Sequence, residues 1–136
     1  MMNYLDWNST FHTGIASIDY DHRRLIEMLN EIHDLIEQSA EQCTISDELA
    51  DFYAFAEGHF ALEKKLMQDE NLPDLQERRD IHHRLLDQVR EIMDGYEDGI
   101  YQPAERLPET LKIWLVGAIG IDVKIFAAIG DTSLHH

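Results

Sequence analysis

Residues 49–67 read LADFYAFAEGHFALEKKLM, and this stretch decides the fold class. Its apolar residues recur at the spacing of three and four residues that forms one face of a helix. Two positions on that face are polar, His59 and Glu63, and they lie one helical turn apart on the same side. The whole face consists of Leu49, Phe52, Ala56, His59, Glu63, Leu66 and Met67. Polar groups in a core are costly unless a partner satisfies them, so this helix predicts a buried polar site.

Three other segments combine an apolar helix face with a polar interruption. The interruption is His22 in the first segment, Arg78 with His82 in the third, and Asp122 in the fourth. The faces are Ile18, His22, Leu25, Leu29, Ile32 and Ile36; Leu75, Arg78, His82, Leu85, Val89 and Ile92; and Leu111, Leu115, Ala118, Asp122, Ile125 and Ile129. No alternating strand pattern occurs and most connections are short. The sequence therefore predicts an all-α, antiparallel up-down four-helix bundle.

The boundaries follow from helix start and stop signals. We predict one domain over residues 1–136, with an N-terminal arm over about 1–17 and helices over about 18–39, 45–69, 74–94 and 108–129. Thr44 or Ser46 is expected to cap the second helix, because their hydroxyls accept from free N–H groups there. Pro108 is expected to open the fourth helix, and Gly130 to end it.

Composition and charge exclude several classes of partner. The net charge of −16 argues against nucleic acid and anionic membranes, both of which attract clustered Lys and Arg. The single cysteine, Cys43, leaves no internal disulfide and fits a cytoplasmic protein. The first ten residues show no secretory leader, and the most apolar run, 113–121, is too short to span a bilayer. We find no motif for hydrolytic or phosphoryl-transfer chemistry.

The polar residues of the four faces are metal-ligand types. Histidine and carboxylate side chains that project from facing helices of a bundle are a known architecture for iron sites. Imidazole with carboxylate suits iron, and also zinc or manganese. The candidate metal ligands are His22, His59, Glu63, His82 and Asp122.

Four segments of the chain resemble bacterial hemerythrin-like domains, in order and over nearly the whole length. They are Trp7 followed by Gly14–His22; His59-Phe60 with Glu63 and Met67; Leu72-Pro73 leading to His82 and Leu85; and Trp114-Leu115 leading to Gly120-Ile121-Asp122. The resemblance implies a four-helix bundle with a non-haem di-iron site that reversibly binds dioxygen for carriage, storage or sensing. It implies that one iron has two histidines, that the other has three, and that a Glu and an Asp bridge them.

Carried onto this chain, the resemblance makes His22 and His59 the ligands of the two-histidine iron. Glu63 and Asp122 match the bridging carboxylates, and His82 matches one histidine of the second iron. The other two histidines of that iron are missing. Arg78 stands at one of their positions, and Ala118 marks the other on the fourth helix. The family spaces its last histidine and aspartate five residues apart, which favours a π-type bulge. The shorter spacing here predicts regular helix instead.

Arg78 admits three interpretations. In the first, one iron remains, held by His22, His59 and one or both carboxylates, as in a mononuclear non-haem centre with open positions. In the second, no metal binds, and the Arg78 guanidinium pairs with Glu63 or Asp122. In the third, Arg78 extends outward along its stem and leaves the site open. The sequence does not decide between one iron, two or none.

Two main functional hypotheses follow. The first is a cytoplasmic, non-enzymatic iron protein that binds or senses dioxygen or a related small ligand. The second is a metal-free, degenerate bundle with a regulatory or protein-interaction role, whose protein partner the sequence does not name. A third and weaker hypothesis is an enzyme that uses a mononuclear iron for peroxide or nitric oxide chemistry.

Overall fold

Four helices build the protein. The computed structural model describes the backbone of residues 3–134 and the side chains of residues 3–126. The helices are α1 (Ala16–Glu37), α2 (Gln42–Asp69), α3 (Leu75–Glu97) and α4 (Arg106–Leu134), and no strand occurs in the described part of the chain. Helix α1 packs against α2 and α4, and α3 packs against the same two helices. The predicted all-α four-helix bundle is confirmed.

The N-terminal arm is fastened to the start of α1 by Asp19. The carboxylate of Asp19 accepts hydrogen bonds from Thr13 N at 2.9 Å, Thr13 Oγ1 at 2.8 Å and Gly14 N at 3.2 Å. It also lies 3.0 Å from Nδ1 of His12. The arm contains a single 3₁₀ turn, Ser9–Phe11, and Phe11 is buried in the core. These contacts fix the direction in which the chain enters the bundle.

Several predicted helix ends differ from the structure, including the end of α3, which runs to Glu97 rather than to about 94. Helix α2 begins at Gln42, before both Thr44 and Ser46, and its N-cap position is Glu41, whose side chain makes no capping bond. Helix α4 begins at Arg106 and runs to Leu134, past Gly130. Pro108 still lies in the first turn, where the missing N–H costs nothing because those groups have no helical partner. A glycine inside a helix costs only about 1 kcal/mol, so Gly130 does not end this one. The side chain of Ile129, predicted on the α4 face, lies outside the described residues.

A polar layer divides the bundle core into two apolar clusters. The large cluster contains buried residues of all four helices, among them Leu29, Phe52, Val89 and Leu115. The small cluster consists of Ile18, Met67 and Phe126. Each of these three residues lies one helical turn beyond a candidate ligand, on α1, α2 and α4 respectively. The candidate ligands therefore lie between two apolar clusters of the core.

Helix α4 is α-helical throughout and shows no π-type bulge, in agreement with the regular helix predicted around Asp122. Ala118 and Asp122 are therefore one turn apart on one face, and both are buried. Among the helices that the structure describes, none combines the length and the apolarity that crossing a bilayer requires.

Candidate metal centre

All five candidate ligands are buried and converge from the four helices. Helix α1 supplies His22, α2 supplies His59 and Glu63, α3 supplies His82, and α4 supplies Asp122. Their relative exposures lie between 0% and 5%. They form two overlapping groups whose ligand atoms lie within 4.8 Å of one another, and Asp122 belongs to both. One group adds His22 and His59, and the other adds Glu63 and His82.

The first group is the tighter one. Asp122 Oδ2 lies 2.7 Å from His22 Nε2 and 3.1 Å from His59 Nε2. Glu63 Oε1 lies 2.6 Å from the same His59 nitrogen. An imidazole nitrogen carries at most one proton, so His59 Nε2 can donate to only one of these two oxygens. Two imidazole nitrogens thus meet one oxygen of Asp122, and Glu63 reaches this group through its contact with His59.

The second group is more open. The closest approach between His82 and Glu63, from Nε2 to Oε2, is 4.0 Å, which is too long for a hydrogen bond. Glu63 Oε2, His82 Nε2 and Asp122 Oδ1 are buried without a hydrogen-bond partner among the described residues. Buried polar atoms of native proteins almost always have a partner. A cation in this region would satisfy several of them together.

Asp21 belongs to the site, although the sequence analysis gave it no role. Its Oδ2 lies 3.0 Å from His59 Nδ1, on the side of the ring away from Asp122. With the Nδ1 proton held by Asp21, the ring presents Nε2 to the carboxylates. Carboxylates orient metal-binding histidines in this way in many proteins. Its position in the sequence could have indicated this role. Asp21 directly precedes His22 and therefore lies about 100° around α1 from it, toward a neighbouring helix.

Arg78 turns away from the site. Its Nε donates to the carbonyl oxygen of Pro73 at 3.2 Å, in the connection before α3. Within residues 3–126, Arg78 makes no ion pair with Glu63 or Asp122. This geometry agrees with the third interpretation, in which the guanidinium extends outward, and contradicts the pairing on which the second interpretation depended.

Burial and hydrogen bonds set the charges in the first group. Burial opposes a charge on His59, but its hydrogen bonds with Asp122, Asp21 and Glu63 prevail and raise its pKa to about 11. Burial also acts against the charge of Asp122, yet hydrogen bonds from His22 and His59 hold its pKa well below the usual range. For Glu63, burial and the nearby charge of Asp122 raise the pKa. Without a metal, a protonated His59 therefore balances the charge of Asp122.

His82 differs from His59 in its surroundings. Its ring stacks on Phe60, with 4.4 Å between ring centroids and an angle of 16° between the planes. Burial lowers the pKa of His82 to about 4. A neutral imidazole is the form that binds a metal, so His82 needs to lose no proton to act as a ligand.

The donor set fits iron. Imidazole nitrogens with carboxylate oxygens are borderline and hard ligands, which suit iron and also accept zinc or manganese. The two-histidine group offers two imidazoles and Asp122, whereas the other group offers one imidazole with Glu63 and Asp122. Arg78 cannot be a ligand because it has no lone pair to offer, and the Ala118 side chain has no donor atom.

Fold and site define a class: an antiparallel helical bundle whose core holds a candidate iron centre of histidines and carboxylates. The chain belongs to the hemerythrin family, since the family profile described as "Hemerythrin HHE cation binding domain" matches residues 13–119. The family comprises non-haem iron proteins that bind oxygen and are generally not enzymes. The match ends before Asp122, so that residue joins the site on its geometry.

Proteins named bacteriohemerythrin are similar to this chain over most of its length. One from Pseudomonas aeruginosa (strain LESB58) is 30% identical over 121 residues, which are 89% of this chain and 78% of the relative. One from Stenotrophomonas maltophilia (strain R551-3) is 28% identical over 126 residues, 93% of this chain and 81% of the relative. One from Ralstonia nicotianae (strain ATCC BAA-1114 / GMI1000) is 28% identical over 120 residues, which are 88% of this chain and 84% of the relative.

Proposed function

We propose that this protein binds iron through His22, His59, Glu63 and Asp122, and that it binds or senses dioxygen or a related small ligand there. His82 is the further ligand of a second, weaker position. The observation that carries the proposal is the approach of His22 Nε2 and His59 Nε2 to one oxygen of Asp122, at 2.7 and 3.1 Å. Membership of a family of iron proteins supports the choice of metal.

We further propose that one ion is held firmly and a second weakly or not at all. The first position has two imidazoles and Asp122, and Glu63 lies 2.6 Å from His59 beside it. The second has only His82 beside the shared carboxylates, and Glu63 Oε2 is 4.0 Å from it. Since metal affinity grows with the number of well-placed donors, the first position fills first.

The protein's own residues prepare the site for a small ligand. Asp21 holds the His59 proton on Nδ1, so that Nε2 is the nitrogen that a metal would bind after displacing its proton. Ile18, Met67 and Phe126 seal one side with fully buried apolar side chains, and Phe60 covers His82. A dry surrounding strengthens electrostatic interactions and excludes competing water. When bound, iron with an open coordination position supplies reversible binding of a small ligand such as dioxygen.

Metal content tests the proposal most directly. The protein is reconstituted with ferrous iron under anaerobic conditions and then desalted. It is expected to keep about one iron per chain, as measured by inductively coupled plasma mass spectrometry. His59→Ala is expected to lose it. His33→Ala is the matched control, because His33 is a half-buried histidine of α1 outside the cluster. Wild-type protein without stoichiometric metal contradicts the proposal, as does equal iron in His59→Ala and in the control.

A second candidate function is a metal-free bundle with a regulatory or interaction role. The observation that favours it is that His22 and His59 already hydrogen-bond directly to Asp122. The charge of Asp122 thus has partners within the protein even when no metal is bound. This candidate predicts that a chelator leaves the thermal midpoint unchanged, whereas the iron proposal predicts a fall of the midpoint, because a metal that binds only the folded state stabilises it.

A further inference from the structure

A cavity of about 460 Å³ lies between α2 and α3, next to the candidate metal centre but outside it. His82 forms part of its wall, and Phe60, which stacks on His82, forms part of its floor. Ala61 and Leu86 add apolar surface to that floor. The size is within the range of small-molecule sites, roughly 300–1,000 Å³. It is also larger than a bare inorganic anion needs.

Cationic side chains surround this apolar floor. Lys64, Arg79 and Arg90 all line the cavity, in a protein whose net charge is −16. Arg90 is already engaged, since it lies 3.8 Å from Asp87 and over the ring of Tyr53. Lys64 and Arg79 make no ion pair within residues 3–126. Lys64 and Arg79 therefore line the cavity without an ion-pair partner within residues 3–126, although the acidic residues Glu57 and Asp87 line it too.

Two polar atoms of the wall are buried and unpaired. Arg79 Nε and the hydroxyl of Tyr53 have no hydrogen-bond partner among the described side chains and backbone. The guanidinium Nε–H can only donate, and the tyrosine hydroxyl can donate as well. Both residues line the cavity, and an acceptor bound there would satisfy Arg79 Nε. An anionic oxygen is an acceptor that would also pair with the cations Lys64 and Arg79.

We propose that this cavity binds a small organic carboxylate, with its apolar body on Phe60 and Leu86 and its carboxylate at Arg79 and Lys64. The apolar floor and the volume favour an organic body over a bare oxyanion. The unpaired donors favour a carboxylate over a neutral molecule. The inference does not depend on iron, because none of the cavity's cationic groups belongs to the candidate ligand set.

Benzoate is a suitable probe, and its binding can be measured by titration calorimetry on wild-type protein, with and without chelator. We expect saturable binding of one benzoate per chain under both conditions, weakened by salt. Benzyl alcohol, its neutral counterpart, and inorganic phosphate are expected to bind at least about tenfold more weakly, since one lacks the charge and the other the apolar body.

Matched variants locate the site. Arg79→Gln and Lys64→Gln are each expected to raise the Kd for benzoate about tenfold or more. Arg84→Gln and Lys65→Gln are the controls, because both residues are exposed cations of the same helices that do not line the cavity. Ala61→Trp fills the cavity without changing its charge and is expected to abolish binding. Its control is Ala54→Trp, at an exposed position of α2 outside the cavity.

The inference is overturned by any of three results. These are absence of saturable benzoate binding, equal effects of the cavity variants and their controls, and phosphate binding as tight as benzoate binding. Circular dichroism confirms that each variant is folded, and the two single-charge variants keep the test decisive if Ala61→Trp does not fold. Loss of iron binding with benzoate binding retained would overturn the proposed function alone.

Discussion

Asp21 Oδ2 lies 3.0 Å from His59 Nδ1, and this contact fixes which nitrogen of His59 faces the carboxylates of Glu63 and Asp122. The pair joins α1 to α2 at the level of the candidate metal centre. Both ring nitrogens of His59 therefore have partners in the site. His22 differs, since its Nδ1 has no partner among the described residues.

Asp21→Leu is expected to weaken iron binding about 10- to 100-fold, because the His59 ring loses its partner at Nδ1. Asp21→Asn is expected to weaken it less, since the amide oxygen still accepts the Nδ1 proton. Asp34→Leu is the control, because Asp34 is an exposed aspartate of α1 next to a histidine outside the cluster. Affinity is measured by competition with a chromophoric chelator. Equal affinities for Asp21→Leu and Asp34→Leu would show that Asp21 has no positioning role.

Metal binding is expected to release protons. The pKa of His59 in the metal-free protein is raised to about 11, so near neutral pH its side chain is protonated. A metal needs the free lone pair and must displace that proton, so affinity rises with pH by about tenfold per unit for each proton released. Glu63, whose pKa is also raised, adds to the effect. Calorimetry in two buffers of different ionisation enthalpy counts the protons, and a count of zero would contradict this charge assignment.

Asp19→Ala is expected to lower the free energy of unfolding by about 2 kcal/mol, because buried hydrogen-bond donors of Thr13 lose a charged acceptor. Asp34→Ala, at an exposed position of α1, is expected to change it by less than about 0.5 kcal/mol. Urea denaturation with a chelator present measures both and removes any contribution from metal. A loss in Asp19→Ala no larger than in the control would mean that the arm contributes little to stability.

Arg78→His combined with Ala118→His is expected to raise the iron content from about one toward two per chain, by adding imidazoles near His82. Ala118 is 4% exposed, so the larger side chain at this position is expected to cost roughly 1–3 kcal/mol of stability. Arg84→His with Ala118→His is the control, since Arg84 is exposed on the same helix. Iron and protein are measured on the same sample. An unchanged iron content would mean that the second position lacks more than these two ligands.

Much of the site follows from helical periodicity. Each candidate ligand lies on an apolar stripe, and a stripe faces the core, so the burial of His22, His59, Glu63, His82 and Asp122 could be predicted. Arg78 lies on such a stripe too, yet its long side chain turns back to Pro73. Periodicity gives the position of Cα on a face, but a long side chain chooses its direction from local partners. Helix ends were less predictable, because α2 starts on backbone hydrogen bonds to Glu41 rather than on a capping side chain.

The spacing of apolar and polar residues alone predicts four amphipathic helices that bury one layer of histidines and carboxylates, because residues three and four apart share one face of a helix with 3.6 residues per turn. Tertiary structure decided which atoms of that layer meet. His22 Nε2 and Asp122 Oδ2 are 100 residues apart in the chain, and their distance of 2.7 Å depends on how α1 and α4 are rotated and offset. The Asp21–His59 contact and the cavity between α2 and α3 depend on packing in the same way, because each arises between helices rather than within one.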